Sequence, residues 1–206
     1  MKPEKDQTTE QAILKTAENL FLEKGFALTS TTEIARIAGC NQALVHYYFR
    51  TKERLFDAVF EKNATVFISA FLDKMDDNLP FEEKVRKKIE THFDILRANP
   101  KLPFLFFNEM NTNPGRLSLL KEKIGEMPYP LFSAIDDELK VEIEKGSVRP
   151  MTAVDLMLTI LSLNLALFMA GPVLQAITGL TGAEFQKLFE NRRREHVTVI
   201  LKSLRP

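Results

Sequence analysis

The sequence predicts an all-α protein on the basis of three observations. Apolar residues recur at the three- and four-residue intervals of amphipathic helices along most of the chain, without the alternation typical of strands. Capping residues and glycine or proline breaks divide the chain into segments of helical length. No internal repeat or low-complexity linker interrupts the pattern. We expect an N-terminal three-helix head over residues 1–51 and a larger helical body over residues 52–206.

The first helix is predicted from about Thr9 to Lys24. Thr8 and Gln11 have the spacing of a capping box, and Gly25 is suited to end the helix as its C-cap. The apolar stripe of this helix consists of Ile13, Ala17, Leu20 and Phe21.

Three further helices are predicted before residue 75. Ser30 and Glu33 repeat the capping-box spacing at the start of a second helix of only about two turns, which ends before Gly39. Asn41 is a suitable cap for a third helix and Thr51 for a fourth.

The second and third helices form a pair joined by Gly39 and Cys40, which is the helix-turn-helix arrangement. Gly39 accepts a positive φ in a tight turn, and the small Ala35 and Ala38 let the helices approach closely. Two interpretations fit: a DNA-binding motif whose second helix enters the major groove, or an ordinary helical hairpin in a core.

The rest of the chain is predicted to be helical, with breaks at its Pro and Gly clusters. The approximate helices are 81–98, 103–112, 115–125, 129–145, 152–170, 172–178 and 182–204. Residues 156–183 form a stretch of 28 residues (183 − 156 + 1) without a formal charge. Because Gly171-Pro172 is expected to end its richest apolar run after about 15 residues, a buried or interface helix is favoured over a membrane span.

Composition narrows the classes of function. The 28 Lys and Arg residues are balanced by 28 Asp and Glu, which argues against binding nucleic acid through a generally basic surface. Residues 34–54 nevertheless carry four cations and one acid, a local balance of +3. The single cysteine excludes an internal disulfide framework, and the N-terminus lacks the pattern of a secretory signal, so we expect a cytoplasmic protein.

Residues 9–60 carry a specific combination of residues and segments: Ala17, Leu20 and Phe21 with Gly25 and Phe26 in the first helix, then TSTTEIARIAG at 29–39, CNQALVHYYF at 40–49 and TKERL at 51–55. This combination resembles the tetracycline-repressor (TetR) family of bacterial transcription regulators. Beyond residue 60 only the helical layout, the length and residues 146–150 are similar. Arg50 stands where the family often has proline, and Cys40 where it often has valine.

The first turn of the third helix contains the candidates for base reading. Gln42 can pair bidentately with adenine, and Ala43 can contact a thymine methyl group. Hydroxyl residues at the second helix are candidates for phosphate contact, namely Ser30, Thr31 and Thr32. Simple helix capping is an equal alternative for Ser30. The resemblance implies phosphate contacts for His46, Tyr47 and Lys52, whereas Tyr48 points either to DNA or to the core.

A dimer is expected because one helix-turn-helix reads only a short half-site. The helices near 152–170 and 182–204 are the candidates, with a core within one chain as the alternative. The predicted interface residues are Leu161, Leu165, Phe185, Leu188, Phe189, Arg192, His196 and Val199.

The body is rich in phenylalanine, which suggests an apolar cavity for a hydrophobic or aromatic effector. Core packing is the alternative for any one of these residues, and the resemblance implies an effector site in this part of the chain. The candidate ligand-binding residues are Phe67, Phe71, His92, Phe104, Phe107, Asn108, Met110, Phe132, Asn164 and Phe168.

We therefore predict a ligand-responsive transcriptional regulator that binds a palindromic DNA operator as a homodimer; repression is the role that the resemblance implies. The alternative is a helical small-molecule or lipid-binding protein without a DNA function. No enzyme, cofactor or metal is predicted, because the three histidines are isolated in sequence and no phosphate-cradling loop or Cys/His cluster is present.

Overall fold

The computed structural model describes residues 4–72, 78–125 and 128–206; within these ranges the side chains of residues 4–7, 67, 69–72, 119, 123 and 124 lie outside the description. Helices and no strands form the described ranges, which confirms the predicted all-α class. The chain divides into two compact units, Met1–Val66 and Phe67–Pro206.

The first unit contains α1 (Glu4–Leu28), α2 (Thr31–Ile37), α3 (Gln42–Phe49) and most of α4 (Lys52–Leu72). The second contains α5 (Phe81–Ala98), α6 (Leu102–Thr112), α7 (Pro114–Ile124), α8 (Pro128–Glu144), α9 (Ala153–Thr178) and α10 (Gly182–Ser203). The division between the units falls within α4, because Leu55, Phe56 and Val59 of this helix are buried with the N-terminal core.

The course of α1 differs from the prediction at its start and agrees with it at its end. The helix begins at Glu4, so Thr8 lies inside it and its assignment to a capping box was wrong. At Gly25 the backbone leaves helical geometry, with φ 76° and ψ 173°. The hydroxyl of Thr29 donates a hydrogen bond to the carbonyl of Gly25 at 2.8 Å and fixes this bend.

The core of the N-terminal unit is aromatic at its centre. The rings of Phe21 and Phe56 meet edge to face with centroids 5.0 Å apart, and Phe26 contacts the same Phe56 ring at 5.1 Å. The predicted apolar stripe of α1 is buried against this centre. These contacts hold α1 against the beginning of α4.

A buried carboxylate adds a polar link between the same two helices. Glu18 of α1 accepts hydrogen bonds from Asn63 at 2.9 Å and Lys62 at 3.1 Å, both in α4, and from Lys15 at 3.0 Å. Burial alone would raise the pKa of Glu18, but these hydrogen bonds outweigh it and hold the pKa below its usual value. The carboxylate therefore stays charged and paired inside the unit.

The second unit is built around α5, α8, α9 and α10. Its apolar core draws on all four helices and comprises Val85, Ile89, Ile135, Leu139, Val148, Ala153, Leu156, Met157, Ile160, Val197, Ile200, Leu201 and Leu204. A phenylalanine group extends it, because Phe168 lies 5.3 Å from Phe93 and 5.1 Å from Phe189 between ring centroids.

Asn164 joins three of these helices through hydrogen bonds. Its amide nitrogen donates to the carbonyl of Ile89 at 3.0 Å and to Nδ1 of His92 at 3.1 Å. Its oxygen accepts from Nδ1 of His196 at 2.8 Å. Burial lowers the pKa of both histidines to about 4, with smaller effects from Lys88 on His92 and from Arg192 on His196. Both rings are therefore neutral at pH 7.

The predicted break at Gly171-Pro172 was wrong. Pro172 lies inside one continuous helix, α9, which ends at the left-handed Gly179. Among the described helices, α9 alone has the length and apolarity to span a membrane, and 39% of its apolar window is buried in the protein. Its buried side packs against α5, α8 and α10 and carries the hydrogen-bonded Asn164, as expected of a core helix.

Candidate nucleic-acid interface

The helix-turn-helix forms as the capping pattern predicted. Ser30 precedes α2, and its hydroxyl accepts a hydrogen bond from the backbone N–H of Glu33 at 3.1 Å. Asn41 does the same for α3 by accepting from the N–H of Leu44 at 2.9 Å. Between the helices Gly39 has φ 71°, a left-handed conformation that favours glycine. Capping at both starts fixes the first turns of α2 and α3.

The buried side of this pair determines which side is exposed. Ile34 and Ala35 of α2 and Val45 of α3 are almost fully buried in the N-terminal core. Gln42 and Ala43, the predicted base-reading residues, are exposed at the start of α3. Their exposure leaves the first turn of α3 accessible to a major groove.

The hydroxyl residues of α2 take different roles. The side chain of Ser30 is used as the cap, while Thr32 is exposed. The hydroxyl of Thr31 accepts a hydrogen bond from Nε2 of Gln42 at 3.1 Å, and so links the first residues of the two helices. Sequence reasoning missed this contact, although both residues have polar side chains and follow a helix cap.

The aromatic end of α3 is partly exposed. Tyr47 is 60% exposed and meets the ring of Tyr48 edge to face at 5.1 Å. Tyr48 is half-buried, so its exposure does not decide between the two alternatives, contact with DNA or packing in the core. His46 is exposed, and its Nδ1 lies 2.9 Å from the carbonyl oxygen of Arg50, so Nδ1 carries the hydrogen in this contact.

Lys52 has different partners from those that the resemblance implied. Its ammonium donates to the carbonyls of Phe26 at 2.9 Å and Thr29 at 3.0 Å, and lies 4.2 Å from the centroid of the Phe26 ring. Two of its three N–H groups are therefore used to hold the end of α1 against the start of α4. In this geometry Lys52 positions the head, and its assignment as a phosphate contact stays a prediction.

A tight turn joins α3 to α4. The N–H of Thr51 donates to the carbonyl of Phe49 at 2.7 Å, and Arg50 between them has φ 64° and ψ −57°. This is a γ-turn with a positive φ, which is strained for a residue with a side chain. Thr51 then caps α4 by accepting from the N–H of Arg54 at 3.2 Å.

Charge is distributed unevenly over the head. Arg36, Arg50 and Arg54 are exposed, and so is Glu53, the one acid of residues 34–54. The local excess of positive charge predicted for residues 34–54 is therefore carried by exposed guanidinium groups. Such groups suit the phosphate backbone of DNA.

Comparison with known proteins agrees with this geometry. The family model of bacterial regulatory proteins of the tetR family matches residues 13–59. The HTH-type transcriptional regulator RutR of Escherichia coli K12 is 26% identical over 201 residues, which cover 95% of this chain and 90% of RutR. An uncharacterized HTH-type transcriptional regulator of Bacillus subtilis, YhgD, is 27% identical over 140 residues, 67% of this chain and 71% of YhgD. A solved tetR-family regulatory protein from Rhodococcus RHA1 has a TM-score of 0.69 at 16% identity and covers 96% of this chain and 97% of its own.

The chain belongs to the TetR family. It is a DNA-binding transcriptional regulator with an N-terminal helix-turn-helix. The predicted family is thereby confirmed.

In this TetR-family protein the predicted ligand-binding residues do not share one environment. His92, Asn164 and Phe168 are buried in the core of the second unit, whereas Phe104 is 64% exposed and Asn108 is also exposed. The half-buried members are Phe107, Met110 and Phe132. The side chains of Phe67 and Phe71 lie outside the described residues.

The predicted dimer residues of this TetR-family protein also divide into two groups. Phe189 and His196 are buried within their own chain, where Phe189 packs on Phe168 and His196 binds Asn164, so their assignment to the dimer interface was wrong. Side chains of the other group retain exposed surface, and these are Leu161, Leu165, Phe185, Leu188, Arg192 and Val199.

Proposed function

We propose that this TetR-family regulator binds a palindromic operator as a homodimer, represses transcription and is released by a hydrophobic or aromatic small molecule. The observation that carries the proposal is the capped α3, which exposes Gln42 and Ala43 at its first turn beside exposed arginines. It acts in the cytoplasm, where its DNA partner is found.

Base reading is assigned to the first turn of α3 and phosphate binding to the residues around it. Gln42 pairs with adenine and Ala43 contacts a thymine methyl group. The N-terminus of α2 with Thr32, and the exposed tips of His46 and Tyr47, contact the DNA backbone and fix the position of α3 in the groove.

The homodimer uses the exposed side of α9 together with α10. Apolar residues of α9 follow a helical stripe with exposed or half-buried side chains: Val154, Leu158, Leu161, Leu165, Met169 and Val173. An exposed apolar stripe of this length is unfavourable in water and is typical of a protein interface. Leu188 and Val199 of α10 extend the same kind of surface, so two chains would form a four-helix bundle.

Release by an effector depends on α4. This helix begins at Lys52 in the head and continues to Leu72 beyond the end of the N-terminal unit. Effector binding among the half-buried aromatic residues of the body, Phe107 and Phe132 included, shifts α4 and changes the separation of the two recognition helices. A dimer with the wrong separation loses contacts in one half-site.

Selection of DNA fragments from a genomic or random pool by the purified full-length chain tests this function. We expect a palindrome with half-sites about one helical turn apart, bound with steep inverse salt dependence. Gln42→Ala relaxes base preference while leaving non-specific affinity unchanged. A monomer in sedimentation, or selected sites without twofold symmetry, would contradict the dimer.

Compounds suggested by the genes beside the selected sites provide the effector test. A ligand bound by the body is expected to lower operator affinity at saturation. Unchanged operator affinity with the body saturated would refute the coupling, and a higher affinity would refute release.

A further inference from the structure

We propose that Thr31 is a positioning residue: it orients the Gln42 amide for base reading and so sets base preference without touching a base or a phosphate. The inference rests on the proposed base-reading function of Gln42.

The hydrogen bond joins two fixed points of the backbone. Thr31 is the first residue of α2, directly after the Ser30 cap, and Gln42 is the first residue of α3, directly after the Asn41 cap. Both helix starts are therefore held in place before the side chains meet. Between the starts of these two helices, Nε2 of Gln42 donates to the hydroxyl oxygen of Thr31 at 3.1 Å.

The direction of this hydrogen bond decides what Gln42 offers to DNA. A glutamine amide has two N–H donors on Nε2 and two lone pairs on Oε1. Thr31 takes one donor, which leaves the second N–H and the whole of Oε1. Adenine offers the matching pair in the major groove, since its N6 amino group donates to Oε1 and its N7 accepts from Nε2.

Orientation matters because a free glutamine side chain at an exposed position rotates and can exchange the places of Oε1 and Nε2. With those places exchanged the amide would present donor and acceptor in the wrong order for adenine. In the structure the Thr31 hydroxyl accepts from Nε2 and leaves Oε1 free, and this contact restrains the side chain before DNA arrives, so less freedom is lost on binding. The contribution of Thr31 to specificity is thus carried entirely by Gln42.

A direct phosphate contact by Thr31 predicts a different result. A phosphate contact weakens binding to every sequence when it is removed, whereas a residue that orients Gln42 affects the choice of base at one position in each half-site. The two roles can therefore be separated by measuring affinity for operator variants rather than for one operator.

The test uses the full-length chain and the operator obtained by selection, together with every single-base variant of one half-site. Thr31→Val removes the hydroxyl with little change of shape, and Thr31→Ser keeps it. Gln42→Ala and the double variant Thr31→Val/Gln42→Ala complete a double-mutant cycle, which measures the coupling between the two residues. Affinities are measured at several salt concentrations, and thermal unfolding is followed for each variant.

We expect Thr31→Val to lower discrimination at the base position read by Gln42 by about fivefold, the usual net effect of one hydrogen bond. Discrimination elsewhere and the salt slope stay as in the wild type, and Thr31→Ser restores the preference. In the Gln42→Ala background, Thr31→Val is expected to have no further effect on base preference. A variant that only lowered protein stability would not show this dependence on Gln42.

Equal weakening for all sequences with a shallower salt slope would overturn the proposal in favour of a phosphate contact. Additive effects of the two substitutions would overturn it as well. If Gln42→Ala leaves base preference intact, the proposed base reading fails together with this inference. If Gln42→Ala relaxes the preference and Thr31→Val does not, only the positioning role is lost.

Discussion

The amide oxygen of Asn164 accepts a hydrogen bond from Nδ1 of His196 at 2.8 Å inside the second unit, where both side chains are about 1% exposed or less. The same amide donates to His92 and to the carbonyl of Ile89. One side chain of α9 thus satisfies polar groups of α5 and α10 that have no access to water.

Asn164→Leu is expected to lower the free energy of unfolding by about 2–4 kcal/mol. The substitution removes three buried hydrogen bonds and leaves polar atoms on two other helices without this partner. Urea unfolding at one protein concentration measures the change, with the exposed Lys187→Ala of α10 as a control that stays within about 0.5 kcal/mol. A loss no larger than that of the control would show that the hydrogen bonds are unimportant.

The stability of the protein is expected to fall as the pH is lowered from about 6.5 to about 4. In the folded state burial lowers the pKa of His92 and His196 to about 4. The unfolded chain, with an ordinary pKa near 6.5, therefore binds protons in this window that the folded chain does not, and each histidine adds up to about 1.4 kcal/mol per pH unit. Urea unfolding at pH 7.5, 6 and 5 measures this slope. His196→Gln should remove a substantial part of it, and an unchanged slope in that variant would contradict the assignment.

Glu18→Ala is expected to destabilise the N-terminal unit by about 1–3 kcal/mol, because Asn63 and Lys62 lose a buried charged acceptor. Hydrogen exchange should increase in α1 and in the α4 residues up to 66. The exposed Glu23→Ala of the same helix is the matched control and should leave exchange unchanged. Equal exchange in both variants would mean that the Glu18 pairing contributes little.

Lys52→Met is expected to lower the stability of the head by about 1–3 kcal/mol, since it removes two hydrogen bonds from a charged donor to the carbonyls of Phe26 and Thr29. The salt dependence of DNA binding should not change. A slope smaller by about one, with unaltered thermal unfolding, would instead identify Lys52 as a phosphate contact.

Arg50→Gly is expected to be more stable than Arg50→Ala by about 1 kcal/mol. Both substitutions remove the same charge, but only glycine adopts φ 64° without strain. Thermal unfolding of the two variants side by side makes the comparison. A glycine variant that unfolds at the same temperature as the alanine variant, or below it, would show that the γ-turn is not strained.

The helix-turn-helix was predictable because its determinants are local. Ser30, Asn41 and Gly39 each act on the backbone within a few residues, so their spacing alone indicates where helices begin and end. The course of α9 was not predictable in this way. The helix continues through Pro172, next to Gly171, which packs closely on the Phe185 ring of α10. Propensity at a single proline is a local quantity and does not by itself determine where a helix ends.

The roles of individual side chains were predictable only in part. Gln42 and Ala43 are exposed as expected, but the partners of Lys52 lie 23 and 26 residues earlier in the chain. The same holds for His196, whose partner Asn164 is 32 residues away. Helical periodicity identifies the face on which such a residue lies, but it does not distinguish the core of one chain from the surface of a dimer.

The bend at Gly25 depends on chirality rather than on space. A Cβ built on this residue would meet no atom within 4 Å, so there is room for a side chain. The obstacle is the pair φ 76° and ψ 173°, whose mirror image, φ −76° and ψ −173°, is an ordinary extended conformation. Residue 25 therefore has a backbone suited to a D-amino acid. Glycine, the one achiral amino acid that ribosomes incorporate, meets this requirement at low cost.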